Sequence, residues 1–351
     1  MSRRRFVWLL VAALVAISVA IYLSGQRNLP RDTQDAPLLP KLAQDLNSVT
    51  GLSVRKGSAA NAVTLHQIAG QWTVAERGDY PADLVKLRKL LLDMADLKII
   101  EAKTANPANF AIIGVEDPSS PGAGGIELTV SAPQAKYVLI VGKPVGQGSF
   151  ARRGGENQSY IVQPALSIQP EPRSWIDSRL IDIASTSIQS IAVKPAAGAG
   201  YTLRRLNAAD SGFGLDAVPA GRKPLDAKAL EPSPGLLGNF TAEDVAKAGD
   251  VDFSNGTQAV ITLADGNVLT LTGATVGDKR WIEVSASKDL ALNAKAQGRA
   301  FEVASYRYDT VFRPVEQLLV PKPPPPAKPA AAVKPAPAAK AKSTPSPAPG
   351  P

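Results

Sequence analysis

The same order of short alternating runs occurs twice along this chain, and this repetition constrains its fold more than any other feature. Apolar residues two positions apart are typical of half-buried β-strands. The second set of runs follows the first at a separation of about 140 residues, as expected for a duplicated unit. The matched runs are residues 52–54 with 191–193, 63–66 with 201–204, 72–74 with 213–215, 126–130 with 260–263, and 160–162 with 301–303. The sequence therefore predicts two related units, at residues 47–180 and 181–318.

An amphipathic segment in the first unit predicts a helix that packs on these strands. Pro81 suits the first helical position, and Asp83 complements the helix dipole. One face is apolar and the opposite face is charged, with the apolar set Leu84, Leu87, Leu91 and Met94 and the charged set Lys86, Lys89, Asp93 and Asp96. The matching segment of the second unit, residues 224–240, contains several prolines and glycines. Any helix there is expected to be shorter or irregular.

Further alternating runs follow the helix and predict a meander of antiparallel strands. Turns rich in glycine and proline separate them, and the runs are residues 126–131, 137–142, 148–152 and 159–163. Residues 164–172 and 175–180 are expected to join the two units. The predicted fold class is α+β, with each unit formed mainly of antiparallel sheet with packed helices.

Residues 6–23 form an apolar run in which Ser18 is the main polar interruption. As a helix, this run would extend about 27 Å, close to the thickness of a bilayer core. Arg3, Arg4 and Arg5 precede it, and positive charge is retained on the cytoplasmic side. The sequence therefore predicts a cytoplasmic arginine cluster and transmembrane anchor at residues 1–24, followed by a spacer at residues 25–46.

Two alternatives remain for this N-terminal segment. Residues 18–20 have the small side chains of a signal-peptide cleavage site, and the arginine cluster resembles a twin-arginine export signal. Both alternatives place the bulk of the chain outside the cytoplasm.

The C-terminal residues 319–351 are rich in proline, alanine and lysine, which predicts a disordered tail. The chain has a formal net charge of +8, and the N-terminal arginines and five tail lysines account for all of it. Because the part between them has no net charge, we expect no nucleic-acid partner. The lysines leave open a contact between the tail and peptidoglycan or another anionic polymer.

The chain contains no cysteine and one histidine, His66. These counts exclude thiolate chemistry and the usual zinc sites. A Ser-His-Asp arrangement would need His66 as its base. His66 lies in an alternating strand, and Arg204 occupies the matching position in the second unit. We therefore expect His66 at the protein surface.

No other motif predicts a chemical site. The glycine motifs at residues 146–151 and 212–217 lack the strand-to-helix context of a dinucleotide site, and residues 142–144 lack the features of a P-loop. The carboxylates near predicted turns show no spacing that marks an acid–base pair, and they are Asp79, Asp83, Glu116 and Asp117. We expect no catalytic, cofactor-binding or metal-binding residues, and hence a non-enzymatic protein.

Several motifs together resemble the bacterial family called domain of unknown function 4340. They are the Trp72 strand, residues 80–83 with the leucine-rich helix, and residues 110–118, 140–143, 151–154 and 175–180. The resemblance covers roughly residues 47–310. It implies an envelope protein linked as an auxiliary component with ABC-type export systems of the gliding-motility kind. The predicted anchor places such a protein in the bacterial inner membrane as a single-pass protein with a periplasmic bulk.

Three functional hypotheses follow. The first is a membrane-anchored periplasmic auxiliary subunit whose partner is an envelope protein such as an ABC transporter permease. The second is an envelope-binding module that uses the basic tail at residues 319–351 on an anionic polymer. The third is an unrecognised carboxylate hydrolase, which would require two carboxylates to converge in one cleft.

Overall fold

The computed structural model describes residue 13 and residues 15–18, 35–57, 63–207 and 212–321. Within the anchor predicted at residues 6–23, residues 13 and 15–18 are helical, and the others lie outside the described residues. Residues 322–351 of the predicted tail also lie outside them. No helix in the described part of the chain is long and apolar enough to cross a membrane.

The first half of the chain forms a nine-stranded antiparallel sheet with the order β4-β3-β2-β1-β6-β7-β8-β9-β5. Its strands are β1 (Gly51–Lys56), β2 (Val63–Ile68), β3 (Gln71–Val74), β4 (Tyr80–Pro81), β5 (Lys98–Ala102), β6 (Ile126–Ala132), β7 (Ala135–Val145), β8 (Gly148–Arg153) and β9 (Ser159–Gln163). The predicted meander is therefore confirmed.

The second half contributes ten strands, which are β10 (Arg179–Ile181), β11 (Ile188–Lys194), β12 (Tyr201–Arg205), β13 (Phe213–Asp216), β14 (Phe240–Thr241), β15 (Asp244–Lys247), β16 (Thr257–Leu263), β17 (Val268–Val276), β18 (Lys279–Ala286) and β19 (Arg299–Val303). Eight of them form a second antiparallel sheet with the order β13-β12-β11-β16-β17-β18-β19-β15. The remaining two, β10 and β14, pair with each other.

A few helices accompany the sheets, so the fold is α+β with antiparallel sheets dominant. Within the described residues of 35–321, the α-helices are α1 (Leu42–Asp45), α2 (Leu84–Ala95), α3 (Phe110–Ile113), α4 (Leu290–Ala296) and α5 (Ser305–Val311). Helix α2 is the longest of these. Buried aliphatic residues from both halves join one continuous hydrophobic core.

Helix α2 begins later than the sequence indicated. The Asp83 side chain accepts hydrogen bonds from the backbone N–H groups of Val85 and Lys86, each at 3.0 Å, and is therefore the N-cap. Pro81 lies in β4 instead of the first turn, so that expectation was wrong. Leu84 was expected on the buried face but is 41% exposed, whereas Leu87 is 1% exposed.

Corresponding strands of the two sheets pair in the same register. Leu52 of β1 lies opposite Leu65 of β2 and Val130 of β6. The equivalent set in the second sheet is Ile191, Leu203 and Ile261. One predicted match was offset, because Val130 corresponds to Ile261 instead of Leu263. An offset of two residues leaves the same strand face buried, so the alternating pattern alone did not reveal it.

The second unit differs from the first where α2 would stand. Residues 224–240 form turns with no α-helix, as the prolines and glycines predicted. Leu230, Leu236 and Leu237 are nevertheless buried there. This segment therefore buries leucines as α2 does in the first unit, but without helical hydrogen bonds.

Each unit is closed by a segment that follows its last sheet strand. Ala82 bridges Ile176 in the first unit, and Pro224 bridges Leu319 in the second. Leu319 is 2% exposed, and the Val320 N–H donates to the carbonyl of Lys223 at 2.8 Å. The first two residues assigned to the tail, 319 and 320, thus belong to the fold.

Two other predicted boundaries also differ from the structure. Residues 35–46 were assigned to a spacer, but Leu38 and Leu42 are fully buried in the core. The Leu38 N–H donates to the carbonyl of Leu97 at 2.7 Å, which fixes this segment beside β5. The boundary after residue 180 falls inside β10, which pairs with β14. Residues 35–46 belong to the fold because Leu38, Leu39 and Leu42 are buried, although the nearby prolines resemble those of a spacer.

Three of the motifs that carry the family resemblance pack together, at residues 110–118, 140–143 and 151–154. Arg152 of β8 is 4% exposed and stacks on Phe110, with 4.7 Å from guanidinium carbon to ring centroid. Its guanidinium donates to the carbonyls of Val115 at 2.9 Å and Glu156 at 2.8 Å. Gly142 lies so close that an added Cβ would be 2.3 Å from the carbonyl oxygen of Ile113. These motifs therefore stabilise the loop after α3.

Candidate functional site

Ion pairs join the β4 edge of the first sheet to the second unit. Arg77 donates through Nη2 to Oδ2 of Asp244 at 3.0 Å and through Nε to Oδ1 of the same carboxylate. Lys295 of α4 donates to Oδ2 of Asp177 at 2.7 Å. Arg299 of β19 donates to the carbonyl of Gly78 at 3.3 Å. The two units are therefore held in a defined relative position.

Tyr80 is fully buried at this interface. Its ring meets Phe301 of the second sheet edge to face at 5.8 Å, and the cations of Lys295 and Arg299 lie 5.6 Å and 5.3 Å from its centroid. Burial raises the pKa of Tyr80 well above its ordinary value, the charge of Asp177 adds to the rise, and Arg299 opposes it. Tyr80 is therefore a neutral aromatic contact at physiological pH.

A groove of about 1090 Å³ lies beside the interface. Helix α2, the β2–β3 hairpin and the 3-10 helix Leu46–Ser48 line it from the first unit. Residues 177 and 179–182, which lead into the second unit, and Lys295 of α4 also line it. Its volume is slightly above the roughly 300–1,000 Å³ of pockets that bind drug-sized molecules.

One wall of the groove consists of exposed aliphatic side chains on α2. Val85 is 80% exposed, Leu92 is 54% exposed and Leu84 is 41% exposed. The same helix already buries Leu87, Leu90, Leu91 and Met94. Since those residues suffice to pack α2 on the sheet, the three exposed side chains form an additional apolar stripe.

Polar and charged side chains also line the groove. Asn47 and Gln71 contribute side-chain amides, and Trp72 is half-buried among them. Arg88 stands on α2 between Leu84 and Leu92, and Arg179 lies in β10. The arrangement offers apolar contact, hydrogen bonding and positive charge within one concave surface, which is suited to binding.

The carboxylates singled out from sequence do not converge. Asp83 caps α2, and Glu116 accepts a hydrogen bond from the Gly124 N–H at 3.2 Å. Asp117 lies 3.9 Å from Arg152, and Asp79 lies beside His66. Within the described ranges, no three His, Cys, Asp or Glu side chains form a group able to hold a metal ion.

His66 contacts a carboxylate on the strand surface. Its Nε2 atom lies 3.2 Å from Oδ1 of Asp79, and the two side chains are 35% and 50% exposed. The matching residue of the second unit, Arg204, makes a similar exposed contact with Asp216 at 3.5 Å. The same surface position therefore carries a side chain that contacts an aspartate in both units.

The glycine motifs lie in strands and hairpins. Gly146 forms the β7–β8 turn with a φ of 55°, and Gly148 begins β8. Gly214 lies within β13. Lys143 lies in β7 and donates to the carbonyl of Ile112 at 2.8 Å. None of these residues opens a helix of the described chain.

The groove and the residues that line it were not predicted from the sequence. Val85 and Leu92 give α2 more apolar surface than one packed face requires, and this excess was a usable signal. Arg179 and Asp182 come from the segment between the units. Their approach to α2 depends on tertiary packing that no local pattern records.

A family model described as "Domain of unknown function (DUF4340)" matches residues 72–259, more than half of the chain. The match begins in β3 and ends in β16, so it spans both units. It includes α2 and residues 177 and 179–182 of the groove. No curated protein matches the sequence.

Proposed function

The chain belongs to the DUF4340 family, whose description assigns no function, and from this premise we propose that it is a membrane-anchored periplasmic protein that binds a partner protein. The binding site is the groove beside α2. The protein acts as a non-enzymatic auxiliary subunit of an ABC-type export system.

The observation that carries the proposal is the apolar stripe of Leu84, Val85 and Leu92 within a groove of about 1090 Å³. Exposed apolar groups gathered in a concave surface mark interaction sites, because covering them removes apolar area from water. At about 25 cal/mol per Å² of buried apolar area, a segment that covers this stripe gains several kcal/mol.

The membrane and transporter parts of the proposal have separate support. The anchor and its orientation rest on the apolar residues 6–23 and the preceding arginines. The export-system role rests on the family resemblance, which is an analogy and does not derive from the groove.

Site-specific photo-crosslinking in cells tests the proposal. A photoreactive amino acid replaces Val85 in the full chain, and a second strain carries it at Val276, a 48% exposed valine at the end of β17. We expect an adduct with an envelope protein from position 85 and none from position 276. Mass spectrometry should identify the adduct as a transporter permease subunit.

A pair of substitutions on matched leucines sharpens the experiment. Leu92→Asp places a charge in the groove, whereas Leu206→Asp does so at a 58% exposed leucine outside it. The Val85 adduct should disappear with the first change and persist with the second. Equal adducts at positions 85 and 276, or no adduct at position 85, contradict partner binding. An adduct with a protein unrelated to transport contradicts the export-system role alone.

A further inference from the structure

The carboxylates of the groove accept hydrogen bonds within the chain, whereas two of its arginines have no carboxylate partner among the described residues. Asp83 caps α2, Asp177 binds Lys295, and Asp182 accepts a hydrogen bond from the Asn239 N–H at 2.8 Å. In the described part of the chain, no carboxylate lies within salt-bridge distance of the two groove arginines, Arg88 and Arg179. The groove lining contains as many carboxylates as cations, but it presents two guanidinium groups that no carboxylate of the described residues contacts directly.

The apolar stripe has the spacing of a helix-packing ridge. Val85 and Leu92 are seven residues apart, about 10 Å along the axis of α2. Arg88 projects from the same side, one turn from each of them. Such a ridge packs against a second amphipathic helix whose apolar residues follow the same period.

The terminal regions of the chain carry no acidic segment, since residues 24–34 contain one aspartate and two arginines. Residues 322–351 contain five lysines and no acid, so they would bring like charge to Arg88 and Arg179. Residues 6–23 contain no charged side chain. Charge complementarity therefore favours a separate partner that carries carboxylates.

We propose that the groove binds an amphipathic helix of a partner protein whose aliphatic residues cover Val85 and Leu92 and whose carboxylates pair with Arg88 and Arg179. This inference rests on the proposed function and adds the chemistry of the bound segment. The arginines determine which partner is accepted, and the aliphatic contacts provide most of the apolar burial.

Binding of two designed peptides tests the charge preference. Both are fluorescent amphipathic helices with the same leucine face, and one carries glutamate where the other carries lysine. Each is titrated by anisotropy against the full chain in nanodiscs of zwitterionic lipid at low salt. We expect the glutamate peptide to bind about tenfold more tightly, from two partly exposed charge pairs.

Charge reversal supplies the decisive variant. Arg88→Glu with Arg179→Glu should exchange the preference, so that the lysine peptide binds more tightly. The control variant, Lys194→Glu with Lys247→Glu, changes the net charge equally at two exposed lysines of the second unit outside the groove and should keep the original preference. If the arginines had only a structural role, the double variant would bind both peptides more weakly, and the preference for the glutamate peptide would remain.

Three results would overturn the inference. They are equal affinities of the two peptides, an unchanged preference after charge reversal, and a lack of saturable binding by the glutamate peptide. Binding of short-chain phosphatidylglycerol that depends on Arg88 and Arg179, with no peptide binding, would assign the groove to lipid instead. The Val85 adduct forms with any partner bound in the groove, whatever the charge of that partner, so it separates failure of this inference from failure of partner binding.

Discussion

Arg77 and Asp244 connect the two sheets through two hydrogen bonds between one guanidinium and one carboxylate, although 167 residues separate them in sequence. Asp244 is 9% exposed. A carboxylate at this level of burial depends on its partner, because desolvation penalises an unpaired charge.

Arg77→Met should lower the free energy of unfolding by about 2–3 kcal/mol, somewhat less than for a fully buried pair. Asp244→Asn alone should also lower the free energy of unfolding. The double variant should be less destabilised than the sum of the two changes, by at least about 1 kcal/mol. Urea denaturation of the full chain in detergent measures all four proteins. Strict additivity would show that the pair contributes no coupling.

Replacing two leucines of α2 tests which of its faces packs on the sheet. Leu87→Ala should cost about 2–5 kcal/mol, because it removes a buried side chain. Leu92→Ala should change stability by no more than about 0.5 kcal/mol, because Leu92 is 54% exposed. The same denaturation experiment compares them. A large loss from Leu92→Ala would contradict its assignment to the groove.

Gly142→Ala should destabilise the first unit by about 1–3 kcal/mol, because the new methyl group would overlap the carbonyl oxygen of Ile113. Gly124→Ala is the matched control, since an added Cβ there meets no atom within 4 Å. Thermal unfolding should show a lower Tm for the first variant only. Equal Tm values for the two variants would contradict a close approach of Ile113, at the end of α3, to β7.

Tyr201 should make stability fall at alkaline pH. Burial raises its pKa to about 12 from an ordinary 10.0, and the charge of Arg313 opposes the rise. Its hydroxyl also donates to the Arg313 carbonyl at 2.6 Å. Because the folded pKa is the higher one, the unfolded chain loses this proton first. The stabilisation is complete below pH 10 and is lost between pH 10 and pH 12.

Tyr201→Phe removes that contribution. The slope of unfolding free energy against pH between 10 and 12 should become shallower by up to about 1.4 kcal/mol per pH unit. Denaturant titrations at several pH values measure the slope, and absorbance at 295 nm reports tyrosinate. An unchanged slope would mean that Tyr201 ionises equally in both states.

The sequence predicted the sheets well because strand formation here follows a local pattern. Leu52 and Val54 alternate with polar neighbours, and both are buried as that alternation requires. Their counterparts Ile191 and Val193 are also buried. Repetition of this pattern in order identified corresponding strands before any pairing was known.

The groove could not be predicted in the same way. Arg88 and Arg179 lie in different elements and line the same groove only after those elements pack. Leu84 fitted the helical period of the core face, but the period alone does not decide between two adjacent apolar faces. The buried leucines Leu38 and Leu42 were hidden because the nearby prolines resembled those of a spacer.

The closing bridges between Ala82 and Ile176 and between Pro224 and Leu319 imply an order of assembly. Every strand of the first sheet, and the segment that closes it, precedes residue 178. A ribosome therefore completes the whole first sheet before it adds β10. The nascent chain can pair each strand with a partner that it already contains, so the first sheet has no need to wait for strands that are still being synthesised.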